Sequence, residues 1–100
     1  MDHNEAIKLL ENAWNVNGLL YQIQTGRFNE KKATEFTVLL QSIDVNDDFL
    51  PARLVALLWK IPVFLRNQND TICSCGIDPV SYMNFYIEID FLLERILGKP

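Results

Sequence analysis

The sequence predicts an all-α fold: a single four-helix, bundle-like domain spanning residues 1–100, its helices running up-down-up-down. Three observations lead there. The chain has 100 residues, the length of one domain. Its apolar residues recur with the 3.6-residue period in four segments. Between those segments lie clusters of Asn, Asp, Gly and Pro, which favour turns. Short to medium connections then favour antiparallel neighbours in a bundle.

The first predicted helix covers about Asn4 to Thr25. Asp2 or Asn4 can cap it, because a short polar side chain accepts from the free amides of the first turn. Ala6, Leu10, Ala13 and Leu20 share one face, with Ile7, Trp14 and Tyr21 beside them. Gly18 is a point where this helix can kink or break, at about 1 kcal/mol relative to Ala, and Gly26 supplies a stop. The second helix starts after Asn29 and ends near Ile43, on the stripe Ala33, Phe36, Leu40 and Ile43. The third begins near Pro51. Leu54, Leu58, Ile61 and Leu65 form its stripe, and Val55, Trp59 and Val63 fill much of the rest. A helix that apolar is expected to be central or covered on two sides. Pro62, lacking a backbone donor, should kink or split it.

Residues 67–77 read as a polar loop ending in Gly76 and Ile77. Asp78-Pro79 then starts the fourth helix, a capping side chain followed by proline at the first position. This helix is expected to run to about Leu97, with Gly98 as its stop and Tyr82, Tyr86, Ile89, Leu93 and Ile96 as its core stripe. The run Tyr86 to Phe91 also alternates like a strand, but no second clear strand exists to pair with it, and a lone strand leaves its backbone unsatisfied.

Composition narrows the function. There are 13 acidic and 9 basic side chains, a net charge of -4. That argues against a nucleic-acid backbone as ligand and permits a basic protein partner. The apolar stretch Leu54 to Leu65, interrupted by Lys60 and Pro62, is too short to span a membrane. The first five residues lack the pattern of a secretory signal, so a cytoplasmic location is expected. Cys73 and Cys75 sit one residue apart, where a disulfide would close a strained ring, and reduced thiols fit that location.

No chemistry is legible, and the chain is not expected to be an enzyme or to hold a cofactor. His3 is the one histidine, near a terminus, poorly suited to be a general base or ligand. Cys73-Ser74-Cys75 lacks the further ligands a zinc site needs. Asp44-Val45-Asn46-Asp47-Asp48 lacks the Gly and terminal Glu of a calcium loop, and the glycines form no phosphate cradle.

Two features point instead to binding. At 100° per residue the fourth helix carries a second apolar stripe, Val80, Met83, Ile87 and Phe91, with Asp90 and Glu94 at its border and Glu88 further round. Such a strip could dock a basic partner. A sandwiched helix would instead bury both stripes, the commoner fate of helices apolar nearly all round. Second, the expected topology gathers Asp2, Glu5, Asp44, Asp47, Asp48 and Glu94 at one end, partly offset by Arg53, Arg95 and Lys99. Arg27, Lys31, Lys32 and Arg66 go to the other, with Glu30, Asp70 and Asp78. An acidic end would steer a basic protein into contact, although Asp44, Asp47 and Asp48 also serve simply as loop-forming residues.

In size, acidity and helical pattern the whole chain resembles small bacterial immunity proteins, the helical partners of colicins and contact-dependent growth inhibition toxins. The segments 44–48 and 87–91 are of the kind such proteins use, though no motif carries the resemblance and no residue role transfers with it. The resemblance implies a non-catalytic inhibitor of a basic, nuclease-type toxin; on that hypothesis the acidic side chains would face the toxin's basic groups, and Phe91 or Met83, from the second apolar stripe above, would be the apolar anchor. The alternative is an oligomeric regulatory or adaptor module, for which a homodimer through the third or fourth predicted helix is expected.

Overall fold

In the computed structural model, which describes residues 2–43 and 50–97, the chain is helical, with no strand among those residues. The helices are α1 (His3–Trp14), α2 (Leu19–Gln24), α3 (Glu30–Gln41), α4 (Ala52–Trp59), α5 (Ile61–Asn67), α6 (Asn69–Ser74) and α7 (Pro79–Leu97). The strand alternative for 86–91 is thereby excluded. The Asp44–Asp48 loop and the Gly98 stop lie outside the described residues.

Several starts are those the side chains dictate. Asp2 Oδ1 accepts from the Asn4 amide at 3.3 Å, and Asn29 Oδ1 from the Lys32 amide at 3.1 Å. Asp78 accepts from the Val80 amide at 3.1 Å and from the Ser81 hydroxyl at 3.0 Å, ahead of Pro79.

Two expected segments differ in outline. The first predicted helix is two helices, because residues 15–18 turn back on the end of α1. Asn17 takes a left-handed φ of 68°, and a Cβ on Gly18 would stand only 2.3 Å from the Asn12 carbonyl oxygen and 2.4 Å from that of Ala13. Only glycine fits so close to backbone. The polar loop expected over 67–77 is mostly α6. Its end is closed by Gly76 at φ 84°, with the Gly76 amide donating to Cys73 O and the Ile77 amide to Ile72 O. Ile72 is fully buried and holds this polar helix on the core. At Pro62 the predicted split occurs: α4 ends at Trp59, and α5 begins at Ile61 with Pro62 in its first turn.

The core is built largely from the predicted stripes, although Ala13 and Tyr86 are only half-buried and Leu39, Leu57 and Phe85 join it. Ala6, Leu10, Leu20, Ala33, Phe36, Leu40, Ile43, Leu54, Leu58, Ile61, Leu65, Tyr82, Ile89, Leu93 and Ile96 are all buried. α1 packs on α4, and α7 lies against α3, α4, α5 and α6. Tyr82 sits at the centre, donating its hydroxyl to Leu65 O at 2.6 Å and meeting Phe28 edge-on at 5.4 Å. The central or two-sided cover expected for the third predicted helix leaves Trp59 and Val63 exposed.

Candidate functional site

α7 is amphipathic in space, though not in composition. Tyr82, Phe85, Ile89, Leu93 and Ile96 face the core. The second stripe is outside: Val80, Met83, Ile87 and Phe91 are exposed, Phe91 to 67%. The burial of both stripes that such a composition favours is therefore overturned. The elements packed on α7 all come from the side of its core stripe, and none of the described helices crosses over it.

The charges beside this row are unevenly spent. Asp90 is engaged by Arg66, whose guanidinium also lies 5.9 Å from the centre of the Tyr86 ring. Arg95 turns inward and donates to Leu40 O at 2.8 Å and Gln41 O at 3.2 Å, closing the C-terminus of α3. Glu88 and Glu94 are exposed and have no cationic partner among the described residues. The two cations nearest the row are thus used internally, which leaves its border acidic. Phe91 stands between these carboxylates, three residues from each, and such positions are neighbours on a helix surface.

Of the sequence-predicted site residues, Met83, Ile87, Phe91 and Glu94 come together on this exposed face, while Glu88 lies further round and lines a cleft with Ala33 and Thr37 of α3. Asp90 lies at its edge but is already paired. Asp44, Asp47 and Asp48 lie outside the described residues. The expected segregation of charge between two ends fails at Arg66. Arg66, assigned to the basic end, lines a small cleft with Asp90 and Glu94, because α5 packs along the C-terminal half of α7. Arg53, expected as an offset at the acidic end, pairs with Glu11 at 3.1 Å, on the flank between α1 and α4.

A second feature was missed by sequence reasoning. The end of α1, the 15–18 turn and the outer side of α3 enclose an open groove of about 610 Å³. Its walls are Leu9, Ala13, Val16, Phe36, Val38 and Leu39, with Lys32 and Glu35 at the polar edge. Lys32 Nζ donates to Asn17 O and pins the turn against α3. The available signals were Gly18 itself and the apolar residues that fall outside the core stripes, Leu9, Val16 and Val38.

Among the described residues no three His, Cys, Asp or Glu side chains gather where a metal ion could be held. His3 opens α1, and Cys73 points its thiol toward Asn69 Oδ1 at 3.9 Å. Burial, then the nearby Tyr86 and Cys73, push the Tyr82 phenol pKa well up. It is a protonated core donor. Among the described residues no helix is long and apolar enough to cross a membrane. No protein-family model matches the chain, and no curated protein or solved structure matches it either.

Proposed function

We propose that this chain is a non-catalytic protein-binding domain that docks a basic protein on the outward face of α7. The particular function proposed is that of a bacterial immunity protein, binding and neutralising a cognate nuclease-type toxin in the cytoplasm. One observation carries the reading: Val80, Met83, Ile87 and Phe91 are held in water on a helix whose other side anchors the core, beside two carboxylates without cationic partners among the described residues.

An exposed aromatic on a rigid helix loses little conformational freedom when it enters a partner's pocket, and such residues dominate binding energy. Glu88 and Glu94 would meet cations that a nuclease uses to hold phosphate, so that docking competes with the substrate. The up-down-up-down order belongs to the same proposal, with α1–α2, α3, α4–α5 and α7 as its four rods. The segment holding Asp44, Asp47 and Asp48 then joins the second rod to the third and adds to the steering charge.

The test is an affinity pull-down of the tagged chain from cells that also express the gene immediately upstream, with the eluate weighed by mass spectrometry. A stoichiometric basic protein, released by salt or denaturant and inhibited in a nuclease assay, is the expected result. Retention of nothing basic overturns it. Reversing charge at Asp47 and Asp48 is expected to slow association and weaken its salt dependence, and unchanged kinetics remove that segment from the interface. The alternative, an oligomeric adaptor, is favoured by a different surface, the charge-balanced groove beside α3.

A further inference from the structure

We propose that the groove between α1, the 15–18 turn and α3 is a self-association surface, whose occupant is the same surface of a second copy of this chain. Three observations lead to it, none of them dependent on the toxin-inhibitor reading.

The first is apolar exposure gathered at the groove. Leu9, Val16 and Val38 all line the groove, and Val16 is 70% exposed on a turn whose backbone has no freedom to fold it away. Gly18 is locked by its approach to the α1 carbonyls, and Asn17 O is held by Lys32. The turn is therefore a projection tied to α3 beside a depression. One chain carries both a knob and the recess for it.

The second is charge. The groove's polar edge holds one cation and one anion, Lys32 and Glu35, one turn apart on α3, or about 4.5 Å along the axis. Glu35 has no cationic partner among the described residues, and the Lys32 ammonium has donors left after its bond to Asn17 O. A strongly basic or acidic partner finds a like charge here. The matching surface is one with the same two charges in reverse order, which a two-fold axis between Lys32 and Glu35 produces from an identical chain. Each Glu35 then meets the other copy's Lys32.

The third is spacing. Val38 lies about 9 Å beyond Lys32 along α3, and Lys32 is tied to the 15–18 turn. With two α3 helices antiparallel about that axis, each Val38 is carried toward the other copy's turn, where Val16 projects.

The experiment is sedimentation velocity with light scattering on the full chain, from low micromolar to near-millimolar concentration. The expected result is a concentration-dependent dimer. E35K alone and K32E alone should each weaken it by about ten-fold or more, since each places like charges across the axis twice. Mixing the two variants should restore association near the wild-type strength, because both cross pairs are then complementary. K32E also gives up the bond to Asn17 O, so its melting is measured first. V38E, an exposed substitution that breaks no internal hydrogen bond, should abolish the dimer while leaving the helical circular dichroism intact. F91A serves as the control and should leave self-association unchanged. A monomer throughout overturns the proposal, as does a dimer indifferent to both E35K and V38E, or a pair of charge variants that do not recombine.

Discussion

The outward face of α7 and the groove beside α3 both keep aliphatic side chains in water, yet they differ in what surrounds those side chains. On α7 the row is convex and continuous along one helix, and its nearby cations are spent on Asp90 and on the end of α3, so that Glu88 and Glu94 set the local sign. At the groove the surface is concave, three backbone segments contribute, and Lys32 is balanced by Glu35. Exposed apolar area of this kind marks interaction sites on small domains. Charge and shape then separate the proposed partners: a basic protein for the first, an identical chain for the second. The difference also shows that counting charges along a sequence misjudges a surface, because arginines used as internal donors no longer offset the acids near them.

The largest expected effect breaks one side of this comparison while sparing the other. Gly18→Ala forces a methyl group into the Asn12 and Ala13 carbonyl oxygens. The cost is about 3 kcal/mol, seen as a fall in melting temperature of roughly 15 °C. Below that melting point the groove should be distorted and self-association lost, with capture of a basic partner by α7 retained. If melting is unchanged, the turn does not have the geometry described.

Next comes Phe91→Ala. An exposed residue contributes little to folding, so stability should stay within about 0.5 kcal/mol. Affinity for the captured basic partner should fall by roughly 2 kcal/mol or more, some thirty-fold, by calorimetry. Equal affinity would move the interface away from α7.

Tyr82→Phe is of similar size but acts on folding alone. It leaves Leu65 O without its donor and should cost about 1–2 kcal/mol in denaturant melts. The sign of its pH dependence follows from the raised phenol pKa. Below about pH 10, the ordinary tyrosine value, both folded and unfolded chains hold the proton and stability is complete. Above it the unfolded chain ionises first, so this contribution declines as pH rises toward the folded value. Urea melts across that range should show a fall for the wild type that is smaller in the variant.

Smaller again is E88K/E94K, expected to reduce the association rate with a basic partner by about ten-fold at low salt while flattening its salt dependence. The least effect is Arg66→Ala. Its exposed pair with Asp90 is worth about 0.5 kcal/mol of stability. Releasing Asp90 adds a carboxylate to the α7 border, so the same association rate should rise slightly.

Much of the fold was legible because its causes are local. Ala33, Phe36, Leu40 and Ile43 recur at helical spacing, and Asp78-Pro79 caps its own helix, so these needed no knowledge of neighbours. Residues 69–74 misled because Asn69, Asp70, Thr71 and Ser74 disfavour helix by themselves, and the burial of Ile72 outweighed them. The break at 15–18 was half visible, since Gly18 signalled an interruption, while its depth depends on contact with carbonyls six and five residues back. Of the candidate site, Phe91, Met83 and Ile87 could be named as a stripe from spacing, but Asp90 could not be separated from Glu94 until α5 brought Arg66 to it.

The sequence by itself determined the helical class, the inner stripe of each long helix and the positions of the main caps, because periodicity and capping act over one or two turns. Tertiary structure alone decided which of the two apolar stripes on α7 meets water, which cations are used up, and that a groove opens beside α3. Those outcomes depend on where distant helices come to rest, and a helix with two apolar sides carries no local record of the side its neighbours will cover.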